Sequence, residues 1–259
     1  MFITQKNCSR RLVIKQVLGL AFLFFAFSFS AFAEASVEEL LDQMDRLYRS
    51  DSSHATIEMQ IVTENWERTT IMEVWSRGMD DTLIKILSPL KDKGIKTLKR
   101  DNQMWNYFPK INKVLKVPPS MMMNSWMGSD FTNDDLVKEN TLADDYHSKL
   151  ELHPSAPEKF YFIVLTPKEN TVTVWGKLSI SIRRDDLMPV EQVYYDDREE
   201  KKRVMEFRGV KKMGGKRIPT VMEMGTLNKN SKTLVRYKSI DFNPNFSENF
   251  FSFNHLRRK

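Results

Sequence analysis

From Thr56 to Phe242 the apolar residues of this chain recur at every second position, and no other feature restricts its fold as tightly. Residues two apart point to the same face of an extended strand, so a period of two marks strands with unlike faces. The runs 56–62, 68–75, 82–87, 95–99, 104–108 and 113–117 read as strands, and so do 146–152, 159–166, 178–184, 189–195, 203–211, 218–226 and 233–242. Gly78, Pro89, Gly94, Asp101-Asn102, Gly214-Gly215 and Asn228-Lys229-Asn230 supply the turns between them. Only the region near 119–140 interrupts the strands with a helix-length pattern. Sequential strands at this spacing form an antiparallel meander, and a long meander curls toward a barrel.

The alternation also predicts two dissimilar faces. In 178–183, Leu178, Ile180 and Ile182 point one way and Ser179 and Ser181 the other, so one face is apolar and the other wet. An apolar concave face must be covered by helices or filled by a ligand. One helix is predicted ahead of the strands. Val37, Leu40, Leu41, Met44, Leu47 and Tyr48 recur at helical spacing over 36–49, with Ser36 and Glu39 forming a capping box.

The first 33 residues read as a secretory signal peptide rather than as part of the fold. Lys6, Arg10, Arg11 and Lys15 make a basic start, 17–29 is almost wholly apolar, and Ala31-Phe32-Ala33 offers small residues for cleavage. Ser9 to Lys15 also resembles a twin-arginine signal, with Val13 where that pattern has phenylalanine, so either export route is open. Both lead to a periplasmic protein of a Gram-negative type, with 34–259 as one mature domain. The only cysteine, Cys8, lies in the leader, so the mature chain has no disulfide and no thiol nucleophile. Removing the four leader bases from 40 Lys and Arg leaves 36 against 34 acids, a net of +2. That near-neutral balance, with export, argues against nucleic-acid binding. The charge is unevenly spread: 130–158 carries eight acids and two bases, whereas 198–238 carries thirteen bases and four acids.

The segment from Pro118 to Asn140 is the informative interruption. Pro118-Pro119 ends a strand. Met121, Met122, Met123, Trp126, Met127 and Phe131 then place six large apolar side chains in eleven positions, followed by a short helix predicted at 132–138, including Leu136, that Thr132 and Asp135 cap. Leaving all six exposed would forgo on the order of 10 kcal/mol. Two arrangements avoid that: a plug packed into the sheet, or a movable lid over a cavity. Gly128, Ser129 and Asp130 stand where such a lid would hinge, with Asp130 suited to a helix cap or to hydrogen bonds from lid amides. Trp75, Trp105, Tyr107 and Trp126 add apolar surface with polar edges, beside Ile84 and Ile86.

Trp105-Asn106-Tyr107-Phe108-Pro109, followed by Met127-Gly128-Ser129-Asp130-Phe131 and Asp134-Asp135-Leu136, resembles the outer-membrane lipoprotein-sorting family, the LolA/LolB-like superfamily. The layout of leader, helix, strands, insert and strands is similar throughout the mature chain, in a divergent branch marked by Gly-Ser-Asp-Phe. The resemblance implies an incomplete antiparallel β-barrel with an N-terminal helix and a helical lid inserted mid-chain. It also implies an apolar interior for the acyl chain of a lipid or lipoprotein, no cofactor, an inner-membrane transporter as donor and an outer-membrane acceptor. A monomer is expected.

Catalysis is disfavoured. His54, His147, His153 and His255 show no metal-ligand spacing, and Ser129 has Phe131 where a nucleophile elbow requires glycine. Asp144-Asp145 and Asp196-Asp197 read as turn residues. The rival to a carrier is a non-enzymatic envelope adaptor that binds protein at an exposed face, for instance an accessory of an inner-membrane exporter. A dry cavity favours the carrier; a filled interior with an exposed apolar patch favours the adaptor.

Overall fold

The computed structural model describes residues 35–138 and 142–258; the leader lies outside the described residues. Each strand run read from the period-two pattern is a strand. They are β1 (Ser52–Thr63), β2 (Glu67–Arg77), β3 (Asp81–Ser88), β4 (Lys96–Arg100), β5 (Gln103–Phe108) and β6 (Lys113–Lys116), then β7 (Tyr146–Glu151), β8 (Phe160–Pro167) and β9 (Lys177–Arg183), and finally β10 (Pro189–Tyr195), β11 (Lys201–Met213), β12 (Lys216–Thr226) and β13 (Ser231–Phe242). Together they make a single antiparallel sheet of 13 strands that does not close into a barrel, as an incomplete barrel requires.

The order is β6-β5-β4-β3-β2-β1-β13-β12-β11-β10-β9-β8-β7. Every neighbour is a neighbour in sequence except β1 and β13, which pair from Ser53↔Phe242 to Thr63↔Ser231. The first and last strands therefore meet mid-sheet, and the free edges, β6 and β7, are the two strands joined by the Met-rich insert. The insert holds a short 3-10 turn (Pro119–Met121) and the helices α2 (Asn133–Lys138) and α3 (Leu142–Asp145).

Helix α1 (Val37–Arg46) begins at Ser36 with the predicted capping box. It ends three residues earlier than the spacing of apolar residues suggests, because 47–49 continue as a turn and Ser50, at φ 54°, reverses the chain into β1. Leu40, Leu41 and Leu47 face the sheet and are buried, and Tyr48 stacks on Tyr237 of β13 with ring centroids 4.8 Å apart. The inner face of the sheet holds one apolar cluster that includes Ile57, Met59, Met72, Ile86, Phe207 and Met222.

The outer face is not wet throughout. Residues beyond β13 cross it, ending in α4 (Phe253–Arg257), a helix absent from the sequence reading because its five residues carry too little periodicity. Phe251 and Leu256 pack with Leu83, Leu98 and Tyr107 as a second buried cluster, joined at its margin by Trp75 and Trp105. On β9 the serines are buried as well, at 3% and 5% exposure. Ser179 stands between Val164 and Val193, and Ser181 between Phe162 and Glu191, so the larger cross-strand neighbours close over the small side chains.

The second cluster generates a prediction. Phe251→Ala removes a fully packed ring and lowers stability by about 3–5 kcal/mol, read as the shift in urea unfolding midpoint; an unchanged midpoint would mean that the tail does not pack there.

Candidate functional site

Between the inner face of the sheet, α1 and the insert lies a cavity of about 220 Å³. At roughly 30 Å³ of liquid volume per water it has space for on the order of seven water-sized groups, enough for part of one acyl chain. Its floor is set by strand parity. Ala55, Ile57 and Met59 of β1, Met72 and Val74 of β2, and Ile84 of β3 all point inward, and Val235, Met222 and Phe207 continue the wall beyond the β1–β13 seam. Met44, Leu47 and Tyr48 close one side, and Trp126, Phe131 and Leu136 of the insert close another.

The insert is fastened by polar contacts rather than by its methionines. Met127 and Gly128 take positive φ of 51° and 78°, which turns the chain sharply at the start of the Gly-Ser-Asp-Phe motif. Ser129 Oγ donates to the Trp126 carbonyl at 2.7 Å, and the Trp126 amide donates to the Phe131 carbonyl at 2.7 Å. The Asp130 carboxylate accepts from the hydroxyls of Thr226, Ser231 and Thr233, at 3.1, 2.5 and 2.8 Å, which ties the loop to β12 and β13. Across the sheet, the Arg68 guanidinium of β2 donates to the Met127 carbonyl, and the Trp126 indole donates to Thr97 Oγ1 of β4 at 3.4 Å.

A further tie involves a buried charge. Asp135 caps α2, accepting at 2.7 Å from the Thr132 amide while its own amide donates to Thr132 Oγ1 at 3.1 Å. The same carboxylate meets the buried Arg203 of β11 at 3.0 Å. Arg203 also lies over the rings of Tyr194 and Trp175, 4.6 and 5.1 Å from their centroids. Burial opposes its charge, yet Asp135, Tyr194 and Asp130 leave the guanidinium above its ordinary pKa, so it stays a cation. Burial likewise holds the Tyr146 phenol above its usual range, so at neutral pH the hydroxyl beside Thr173 stays protonated.

The structure distributes the residues singled out in the sequence among three places. Ile84, Trp126, Phe131 and Leu136 line the cavity. Ile86 lies deeper in the inner cluster, with Met127 packed against it. Trp75, Trp105 and Tyr107 belong to the outer cluster, because each stands an odd number of positions from its inward neighbours Met72, Val74 and Met104. Met121 and Met123 are exposed and Met122 is half-buried, so the methionine run does not fill the hollow. The backbone at the end of the 3-10 turn holds α2, with the Met121 carbonyl accepting from Asn133 and the Met122 carbonyl from the Asp134 amide. Gly128 is exposed, and Ser129 and Asp130 act as fasteners.

The methionines that do reach the cavity are Met44, Met59, Met72, Met104, Met205 and Met222, one on α1 and five on strands. Their inward parity was readable in the sequence, but their convergence depends on the β1–β13 pairing. Arg49 and Lys99 also line the cavity and were passed over, since single charges at strand or helix ends ordinarily read as solvated.

Asp130→Ala strips three hydroxyls of their acceptor and costs about 1–3 kcal/mol. Hydrogen exchange at the Trp126 and Phe131 amides should quicken in this variant before exchange in β1 or β13 does. Uniform exchange across insert and sheet would show that Asp130 does not hold the loop separately.

A family model described as an uncharacterized protein matches residues 78–258. Among curated proteins none matches the chain. Several solved structures share its fold. A DUF1329 family protein from Desulfovibrio piger superposes with a TM-score of 0.73 at 23% identity, covering 84% of this chain and 96% of that one. A LolA superfamily protein from Nitrosomonas europaea gives 0.72 at 16% identity, covering 86% and 100%. A putative outer membrane lipoprotein-sorting protein domain from Vibrio parahaemolyticus gives 0.70 at 19% identity, covering 84% and 97%.

Proposed function

The chain belongs to the uncharacterized-protein family matched over 78–258, and within its LolA-type fold we propose that it is a periplasmic carrier. It takes up an acyl chain of a lipid or lipoprotein and shuttles it between inner and outer membrane. The observation that carries this reading is the apolar cavity of about 220 Å³ under a clamped insert. An acyl chain of about 16 carbons loses roughly 12 kcal/mol on entering water, at about 0.8 kcal/mol per methylene. A hollow that keeps part of the chain dry lowers that barrier to crossing an aqueous compartment in proportion to the length it covers. The flexible, polarizable methionines of the wall let one cavity fit chains of differing shape.

Release follows from how the insert is held. Its ties to β2, β4, β11, β12 and β13 are discrete polar contacts, so a partner that competes for them opens the cavity without unpicking the sheet. A donor transporter in the inner membrane and an acceptor at the outer membrane are the partners this reading requires, with the carrier acting as a monomer and forming no covalent bond to its cargo. The fold neighbours support it by their descriptions, a LolA superfamily protein and a lipoprotein-sorting domain.

A second reading, an envelope adaptor, draws on the exposed apolar side chains Ile111, Leu115, Met121 and Met123 around edge strand β6 and the start of the insert. The two readings separate experimentally. Protein purified from its native envelope and analysed by native mass spectrometry should carry lipid that organic extraction removes. Val74→Trp, which fills the cavity floor, should lower acyl-chain affinity at least tenfold while circular dichroism stays native. Undiminished binding in that variant places the ligand elsewhere and favours the adaptor.

A further inference from the structure

Many of the polar side chains around the cavity already hold a partner. Ser53 of β1, Ser76 of β2, Thr82 of β3 and Lys99 of β4 stand side by side as one rung across the sheet. Ser53 and Ser76 share a hydrogen bond of 2.7 Å. Thr82 Oγ1 accepts from Arg49 Nη1 at 3.1 Å, and Lys99 Nζ donates to the Met79 carbonyl. Nearer β7 and the insert, the Tyr146 hydroxyl meets Thr173 Oγ1 at 3.2 Å, and Asp135 meets Arg203 at 3.0 Å. Gln192 of β10 differs. It lines the cavity at 4% exposure, and among the described residues its side-chain amide meets no hydrogen-bond partner.

The surroundings of that amide are apolar. Gln192 stands opposite Ile180 of β9 and Met205 of β11. The next rung on the same face carries Leu178, Tyr194 and Arg203, and there Arg203 is taken up by Asp135 and by the Tyr194 and Trp175 rings. Two residues further along β11 in the other direction, Phe207 faces Met222 of β12 and continues the wall. Nothing in this packing requires an amide, since methionine or leucine would fill the same space between Ile180 and Met205. A buried amide without a partner is instead a cost to the folded state. Whichever way it is turned, it presents both a donor and an acceptor to the hollow. The cost is offset when the occupant brings a hydrogen-bonding group to that one point of an apolar wall.

Resting on the carrier reading, we propose that the Gln192 amide selects cargo whose hydrocarbon chain is joined through a carbonyl, in an ester or an amide link. The link carbonyl accepts from Gln192 Nε2, and the adjoining methylenes run along Met205, Phe207 and Met222. An amide link adds a second bond, its N–H donating to Gln192 Oε1, whereas an ether-linked chain leaves the nitrogen of Gln192 without a good acceptor. A hydrogen-bonding group in a dry site discriminates more sharply than added apolar surface does, because the wrong ligand strands it.

The test is titration of the full mature chain with three neutral ligands of one head and one chain length, each kept below its micellar concentration: 1-decanoylglycerol, its ether counterpart 1-O-decylglycerol and the amide N-(2,3-dihydroxypropyl)decanamide. The ester and the amide should bind about tenfold tighter than the ether. A preference for the ester alone assigns an ester link; a preference for the amide alone assigns an amide link. Gln192→Met, of similar length and volume, should bring the ratio to near unity while the urea unfolding midpoint stays or rises, since the change removes an unpaired group rather than a bond. Gln192→Leu reads the same two quantities if the methionine variant does not fold. Equal affinity for all three ligands in the unsubstituted protein, or a ratio unchanged in a folded Gln192 variant, overturns the site and leaves the carrier reading standing. No binding of any ligand removes the carrier reading and this assignment with it.

Discussion

The pairing of β1 with β13 is the contact on which the rest of the molecule depends. Without it the chain is two separate meanders, β1–β6 and β7–β13, each with an apolar face and nothing to oppose it. With it, the inward residues of both meanders share one concave wall, and both free edges fall at the ends of the connection between β6 and β7. That connection therefore lies where it can cover the hollow. Its position follows from topology before any side chain is considered.

Within that frame the insert divides its tasks by chemistry. Trp126, Phe131 and Leu136 supply apolar surface to the cavity, while Asp130 and Asp135 decide where the segment sits. A hydrophobic contact is non-directional and tolerates sliding. A carboxylate that accepts three hydroxyls, or meets a buried guanidinium, fixes position far more narrowly. Removing either partner of the Asp135–Arg203 pair takes from the other the group it meets at 3.0 Å.

The fold was legible because strand periodicity survives without any knowledge of pairing, and so were both capping boxes, at Ser36 and Thr132. The site was legible only in part. Trp75 and Trp105 attract notice as large aromatics, yet their odd spacing from Met72, Val74 and Met104 already sets them on the outer face. Met121, Met122 and Met123 read as part of a plug or a lid because consecutive apolar residues suggest burial, whereas Met121 and Met123 are exposed. The rung of Ser53, Ser76, Thr82 and Lys99 was out of reach, because its members are scattered over four strands and meet only once the register is known. The aromatic tail was missed for a related reason: Phe246, Phe250 and Phe251 have no period of their own and take their order from the surface they cover.

The mid-sheet seam also dictates when the protein can finish folding. Strand β1 is among the first parts of the fold to be synthesised, and the strand that satisfies its open side is the last of the thirteen. Until residue 242 is available, a long row of main-chain donors and acceptors stands unpaired along β1, next to apolar side chains with no opposing wall. Contacts so distant in sequence form slowly, and an open edge invites pairing with other chains. The nascent molecule is thus most prone to self-association just before it is complete, and any factor that shields β1 during that interval would raise the yield of folded protein without altering its final stability.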